Sequence, residues 1–464
     1  MSNYAGKIKK GLDMEKVDYK YYDNIKKSKS NIYITTKQKF ALSLILSCVW
    51  MVFSYNISKP WIHDLSEVVG PIWSFIIISG VAYVPGFMNA FLVVSLLLDK
   101  QPIRKISHPY ESVTLLIAAY NEEAGIYDTL RYVNEQRYNG KINIVVIDNN
   151  SSDETVSEVE RAKKDFDKDI TLLKETKPGK FNALNKGLKY VKTKYVITLD
   201  ADTIIHKDAI NNLVSRMISS SDDVCAVAGS MLVRNSRDNI LSKMQEWDYF
   251  LSIASIKRMQ GLYQGTLVAQ GAFSIYKTDI VRNLGGWADA IGEDIILTWK
   301  ILSQNKRVYF EPKAIAFTDV PTKLSHFAKQ RSRWARGMIE GIREVKPWQQ
   351  PKMFFKFLTG IDLLIPYMDF SYTFFWIPGL ILAVFFHKYY IVGPMMVFVL
   401  PLTLVSFYIL YRYQAYNVFR EMNLKVRKNI LGLILFLLTY QMIMSPVSLY
   451  GYMQEMLGLK RVWK

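Results

Sequence analysis

Asp200-Ala201-Asp202 closes the apolar run Tyr195–Leu199. Two carboxylates one residue apart, where a strand gives way to a turn, can meet at one divalent ion. Hard oxygen ligands suit Mg²⁺ or Mn²⁺ bridging a diphosphate. The same pair can equally be a solvated turn capping the next element. Asp148 ends another apolar run, 142–147. A carboxylate there can accept hydrogen bonds from a nucleobase or ribose, or cap the following helix. Lys180, after Pro178-Gly179, can reach a base or a phosphate, or point to solvent. Glu293-Asp294 opens a helix with an apolar face. The helix dipole there lowers carboxylate pKa values, whereas a general base gains from burial beside a second acid, which raises them. Both readings stay open. Gln330-Arg331-Ser332-Arg333-Trp334 lies in a basic helix, 329–336. Such a helix near a membrane binds anionic lipid. Gln-x-x-Arg-Trp also offers a guanidinium fork for phosphate and an indole face for a pyranose.

The elements that must position these groups follow from hydrophobic patterning. Runs at 113–118, 142–147, 171–174 and 195–199 are short and continuously apolar, the pattern of strands buried on both faces. Helical stretches separate them, which predicts right-handed crossovers and a doubly wound α/β sheet. Ligands of such sheets bind beyond the carboxyl ends of the strands, and three of the polar clusters fall there.

Hydrophobic residues make up 50% of the 464-residue chain and concentrate at 40–58, 71–98, 364–386, 389–411 and 429–452. Each run approaches the ~20 residues needed to span a hydrocarbon core. The net charge of +18 follows topology better than it follows nucleic acid, so no nucleic-acid partner is expected. The first 39 residues carry ten Lys against four acids, and 412–428 holds Arg412, Arg420, Lys425, Arg427 and Lys428 with only Glu421. The positive-inside rule assigns both to the cytoplasm. Three C-terminal spans would leave Lys460, Arg461 and Lys464 outside, a conflict that disappears if one of them is miscounted or lies in the interface. Asp362 and Asp369 fall at or inside the third span, where a carboxylate is costly unless it faces a polar cavity. An interfacial helix would instead leave Asp362 among headgroups. No cleavable signal peptide is expected, and Cys48 and Cys225 suggest neither a disulfide framework nor a thiolate metal site.

Taken in order, the motifs resemble those of the processive family-2 glycosyltransferases, which include the cellulose, hyaluronan and poly-N-acetylglucosamine synthases. The likeness covers about residues 108–346 in detail and the flanking spans in layout. It implies a cytoplasmic α/β domain of GT-A fold, Rossmann-like and nucleotide-sugar-binding, inserted between transmembrane helices. The expected divisions are a cytoplasmic basic segment 1–39, two spans in 40–98, the GT-A domain 99–346, an interfacial helix 347–363 and about three spans in 364–464 that form part of a polymer channel. By this resemblance Asp148 contacts uridine, while Ala119, Tyr120, Asn121, Glu122 and Lys180 line the nucleotide pocket. Asp200 lies near the nucleotide and Asp202 is the main ligand of Mg²⁺ or Mn²⁺. Asp294 is the catalytic base, with Glu293 beside it, in a motif written Thr-Glu-Asp in the family; here Gly292 replaces the Thr. Gln330 and Arg333 match the diphosphate motif and Trp334 the acceptor site. Gln270, Gly271 and Ala272 sit where the family places its acceptor-cradling loop.

The implied reaction is single-displacement inversion from a UDP-sugar donor to a growing polysaccharide acceptor, in a lipid bilayer of the plasma membrane. A small membrane partner subunit is compatible with the sequence. The layout, Glu293 to Lys300 and Gly285-Gly286-Trp287 resemble bacterial poly-β-1,6-N-acetylglucosamine synthases, which implies an exopolysaccharide product. The few residues after the last span leave no room for a PilZ domain, an expectation against cellulose. Arg331 to Met338 nonetheless has a cellulose-synthase look. A glucan or hyaluronan synthase, or a non-processive polyprenyl-phosphate glycosyltransferase, is the alternative.

Overall fold

The four apolar runs form parallel strands: β1 (Val113–Ala119), β2 (Ile142–Asp148), β3 (Ile170–Lys174) and β4 (Tyr195–Leu199). The computed structural model describes residues 34–100, 104–393, 399–425 and 427–460. The basic segment up to residue 33, Arg461 and Lys464, and residues 394–398 of the run 389–411 therefore lie outside the described residues. Helices Ile126–Asn134, Thr155–Asp165 and Lys180–Tyr190 connect the strands. Side chains alternate between two cores: Val113, Leu115, Ile117 and Ala119 enter one, while Leu116 and Ile147 enter the other. Burial on both faces is what a parallel sheet requires and what the continuous apolar runs encode.

Beyond β4 the sheet departs from the doubly wound expectation. Strands β5 (Ile204–Ile205), β6 (Val224–Val233), β7 (Phe273–Lys277) and β8 (Arg307–Thr318) extend it to eight, in the order β3-β2-β1-β4-β7-β6-β8-β5. β7 is antiparallel to both β4 and β6. A long excursion through 209–272 separates β4 from β7, so the chain is free to return in the opposite sense. Antiparallel pairing sets the start of β7 beside the end of β4, with Leu199 opposite Phe273. The 269–272 loop is thereby delivered to the end of the strand that carries Asp200.

Four helices among the described residues are long and apolar enough to cross a membrane: Thr36–Ile57, Pro71–Leu97, Met353–Phe386 and Ile430–Met456. The run 389–411 holds a further helix, Val399–Tyr413. The first two meet the α/β domain through Tyr263, whose hydroxyl shares hydrogen bonds with Ser95 (2.9 Å) and Ser43 (3.1 Å). The helix Met353–Ile361, within the expected interfacial segment, buries Phe355 and Leu358 in the same core as Tyr263. Asp362 is half-buried in the turn that follows, and Asp369 is buried and satisfied. It accepts from Ser445 (2.8 Å), Tyr452 (2.8 Å) and Gln441 (3.2 Å) of the last helix.

That last apolar helix touches the α/β domain at both ends. Asn429, at its start, donates to the Lys243 carbonyl (2.9 Å) and accepts from the Trp247 indole (2.9 Å). Near its end Glu455 pairs with Arg336 (3.3 Å) and Arg343 (3.2 Å), and Arg336 also donates to the Leu459 carbonyl (2.7 Å). Between these points Tyr440 packs on Phe327. The helix therefore runs alongside the domain's helix Leu324–Glu344, and Lys460 ends against the domain.

Candidate active site

Lys180 is the electrostatic centre of the cleft. Gly179 precedes it at φ +122°, and Lys180 is the first residue of its helix. Its ammonium donates to Asp200 Oδ1 at 2.6 Å and lies 3.7 Å from Glu293 Oε1. Burial works against this charge, but Asp200, Glu293 and Asp294 overcome it and raise the lysine's pKa. Gly271 gives the ammonium room, since a Cβ there would stand 2.9 Å from Lys180 Nζ. The Gly271 N–H donates to Asp294 Oδ2 (3.0 Å), while Asp294 Oδ1 accepts from the Ile295 N–H (2.8 Å). The Asp294 carboxylate is thus oriented through both oxygens. Ala272 accepts from the Asp200 N–H (3.2 Å), which closes the ring of β4, the 269–272 loop and the helix Glu293–Ser303.

Charge is crowded here. Burial pushes the Glu293 carboxyl up to about 8, and the neighbouring Asp294 adds to this. Lys180 opposes the shift but is nearer to Asp200, so the net direction is upward. Asp202 is pushed up to about 6 by burial, Asp200 and Glu122. Among the described residues no three His, Cys, Asp or Glu side chains form a ready-made metal cage.

On the β1–β2–β3 side the loops are woven together. Ala119 is buried opposite Asp148, and Tyr120, Asn121 and Glu122 are half-buried just beyond it. Asp148 is buried and accepts from the Ser151 N–H (3.1 Å), a local turn; it is not the cap of the next helix, which begins after Glu154. Asn121 sits at φ +54° and accepts from the Ser152 N–H (2.8 Å). Asn149 carries more of the loop than sequence reasoning assigned it. Its amide donates to the Glu175 and Lys177 carbonyls (3.1 and 2.7 Å), and its oxygen accepts from the Gly179 N–H (2.8 Å). It therefore sets the turn that launches Lys180. Three polar residues in a row gave no signal of this.

The helix Leu324–Glu344 brings its motif to the same cleft. Glu340 Oε2 accepts from the Ile291 and Gly292 N–H groups (2.7 and 2.9 Å), which fixes the start of the Glu293–Ser303 helix. Gly292 and Gly337 touch through their backbones: a Cβ on Gly292 would stand 2.5 Å from the Gly337 carbonyl oxygen. Trp334 is 41% exposed, and Arg333 and Gln330 are half-buried. Gln330 Oε1 is buried and finds no hydrogen-bond partner among the described residues. Arg331, which the spacing Gln-x-x-Arg-Trp passes over, is buried, 2.9 Å from Asp248, and stacked on Trp334 at 4.0 Å. Tyr249 flanks the Trp334 ring at 6.2 Å. Burial raises the Tyr249 phenol to about 12, and the fields of Asp200 and Asp202 reach it. Gln270 faces inward. It accepts from buried Lys257 and donates to the Gly229 carbonyl, so it holds the loop through a side chain turned away from the cleft. Burial pulls the Lys257 ammonium down to about 7.

A half-parallel sheet with acids at its strand ends, closed by an antiparallel return strand, defines an α/β domain of the GT-A class. The comparisons carry this to a family. Residues 109–337 match the family described as glycosyltransferase like family 2. The poly-β-1,6-N-acetyl-D-glucosamine synthase of Staphylococcus aureus strain COL is 34% identical over 267 residues, 55% of this chain and 64% of the relative. That of Staphylococcus epidermidis is 32% identical over 287 residues, 62% of this chain and 65% of the relative. The chain thus spans slightly less than two thirds of the length of these curated relatives. A mannosyltransferase from Pyrobaculum calidifontis, solved with GDP-Man and Mn²⁺, superposes over 83% of this chain and 99% of its own at a TM-score of 0.58 and 20% identity, which bears on fold alone. Residues 109–337 thus form a glycosyltransferase family-2 domain.

The Gly292–Gly337 contact predicts that Gly292→Thr, the residue the family pattern carries, destabilises this chain. Forcing the helices apart is expected to cost ~1–3 kcal/mol, visible as a lower melting temperature in detergent; an unchanged one would refute it. The Glu293 carboxyl predicts a pH effect. Its folded pKa, about 8, exceeds the ordinary 4.5, so the folded state keeps a proton that the unfolded state loses. Stability from this group therefore falls as pH rises between those values. Melting temperatures at pH 6.5 and 8.5, taken without nucleotide or metal, should differ less in Glu293→Gln than in the parent. Equal differences would show that Glu293 does not titrate in that window.

Proposed function

We propose that the chain is a membrane-embedded, processive, inverting β-glycosyltransferase that polymerises UDP-N-acetylglucosamine into a poly-β-1,6-N-acetylglucosamine-type exopolysaccharide and translocates it. The observation that carries this reading is the linked set Lys180, Asp200, Glu293, Gly271 and Asp294 in a family-2 domain. The polymer is inferred from the names of the Staphylococcus relatives.

In this reading Asp294, oriented by the Gly271 and Ile295 N–H groups, takes a proton from the acceptor hydroxyl as the hydroxyl attacks the anomeric carbon. Glu293 keeps the pocket's net negative charge down by remaining protonated near neutral pH. Lys180 and Arg333 stabilise charge on the departing diphosphate, the contribution that usually dominates, and Gln330 presents its unpartnered oxygen to a donor group of the nucleotide-sugar. Asp148, with residues 119–122, contacts the uridine. Trp334, held flat by Arg331 and Tyr249, carries the terminal sugar, and Gly271 and Ala272 cradle it with their backbone. The Asp200–Asp202 end of β4 fits a hard divalent cation, because three acids crowd it and Lys180 is the counter-charge nearest to them. Held by Asp202, such an ion would supply Lewis-acid stabilisation of the leaving UDP.

For topology, we infer that the catalytic domain is cytoplasmic and that the apolar helix Ile430–Met456 lies along it in the membrane interface. The contacts of Asn429 and Glu455 with the domain support this. Crossings by Thr36–Ile57, Pro71–Leu97, the 365–386 part of Met353–Phe386 and the run 389–411 then make four. Both 412–428 and Lys460 fall on the cytoplasmic side, which removes the charge conflict of a three-span C-terminal half.

The protein in nanodiscs with Mg²⁺ or Mn²⁺ is expected to make high-molecular-weight product from UDP-N-acetylglucosamine alone, and Asp294→Asn to lose ~10²–10⁴-fold in kcat. Product only from UDP-glucose would replace the sugar assignment, and a single-sugar lipid product would overturn processivity. A cysteine placed after Lys460 should be labelled by impermeant maleimide only in inside-out vesicles. Labelling from the outside would restore a fifth crossing.

A further inference from the structure

A cavity of about 390 Å³ lies beside the Trp334 end of the cleft, sharing Tyr249 with it, where the α/β domain meets the helix Val399–Tyr413. Its walls are apolar and drawn from three places. Leu232 and Phe317 come from strand ends, Trp247 and Phe250 from the segment behind Asp248, and Tyr411 and Phe419 from the 399–419 helix. Its mouth carries Arg234, Glu246, Lys425 and Arg427. Two of these are already neutralised, because Arg234 forks onto Asp319 and Glu246 pairs with Arg237. Lys425 and Arg427 are exposed and have no ion-pair partner among the described residues. The single acid of that loop, Glu421, is taken by Lys313.

An apolar cavity with a single-sign cationic mouth selects a ligand with an apolar tail and an anionic head. A nucleotide-sugar lacks the tail, and a neutral polysaccharide has no use for the cations. Cations immediately beyond a membrane-crossing helix meet anionic headgroups, and the cavity lies at that level if the 399–419 helix crosses as proposed above. We propose that the cavity takes one acyl chain of an anionic phospholipid from the cytoplasmic leaflet, with Lys425 and Arg427 on its phosphate. The bound chain would support Trp247 and Phe250 on either side of Asp248 and Tyr249, the residues that hold Arg331 and Trp334.

The test is photolabelling of the full-length protein in phosphatidylcholine nanodiscs doped with a diazirine-tailed phosphatidylglycerol, followed by peptide mapping. It needs no sugar transfer, so its failure and that of the polymerase reading are distinguishable. Label is expected on 247–250 and 411–419. Unlabelled phosphatidylglycerol should compete, whereas phosphatidylcholine and inorganic phosphate should not. Lys425→Ala/Arg427→Ala, exposed changes that leave the fold intact, should weaken labelling about tenfold or more, the effect of two juxtamembrane charges. Ala415→Leu, which narrows the cavity, should reduce it for any headgroup. Equal competition by phosphatidylcholine would overturn the anionic head, displacement by inorganic phosphate would overturn the tail, and label confined to the other helices would overturn the site.

Discussion

The arrangement depends on one carboxylate. Glu340 accepts two backbone N–H groups at the start of the helix that carries Glu293 and Asp294, and it does so from the helix that carries Gln330, Arg333 and Trp334. Free N–H groups at a helix start must find partners, and here the partner comes from another element, so the two motifs cannot move independently. The contact is possible because Gly292 and Gly337 let the backbones touch. The glycine that departs from the family pattern is thus a packing requirement of this chain. The same helix continues the linkage outward, since Gly341 packs on Ile295 and Gly451 of the last apolar helix packs on Ser332 and Ala335.

Electrostatics explains why the acids sit where they do. Asp200, Asp202, Glu293 and Asp294 would repel one another in a buried cleft, and Lys180 offsets only part of that charge. The outcome is asymmetric. Asp294 is held by two N–H donors, whereas Glu293 is left to burial and drawn toward its neutral form. Two adjacent carboxyls thereby sit in different environments, one fixed by backbone donors and one enclosed by apolar packing. Of the helix dipole and burial, which pull in opposite directions, burial prevails at Glu293.

Much of this was legible beforehand. The four parallel strands, the strand-end acids and the helix opening at Glu293 follow from local apolar runs and the polar residues that end them. The second half of the sheet was not, because β6, β7 and β8 pair across long loops and their order depends on partners distant in sequence. Asn149, Lys257 and Asp248 were missed for a related reason. Each acts through one side-chain contact made by tertiary packing: Asn149 to Gly179, Lys257 to Gln270, Asp248 to Arg331. The motif spacing likewise picked Arg333 and passed over Arg331, since nothing local distinguishes a buried arginine from a half-buried one.

The last helix also shows how the apolar half of the chain can bear on the polar half. Its Tyr440 packs on Phe327, one turn from Arg331, and its Ser445 and Tyr452 hold Asp369 of the neighbouring apolar helix. Arg331 in turn is clamped by Asp248 and stacked on Trp334. A buried ion pair is costly to separate once formed, so the Arg331–Asp248 pair holds the helix Leu324–Glu344 to the segment before Tyr249 while Tyr440 packs on the same helix at Phe327. Arg331 also stacks on Trp334. The exposed aromatic ring of the cleft thus stands on a helix that the last apolar helix packs against at Phe327, Ser332 and Ala335.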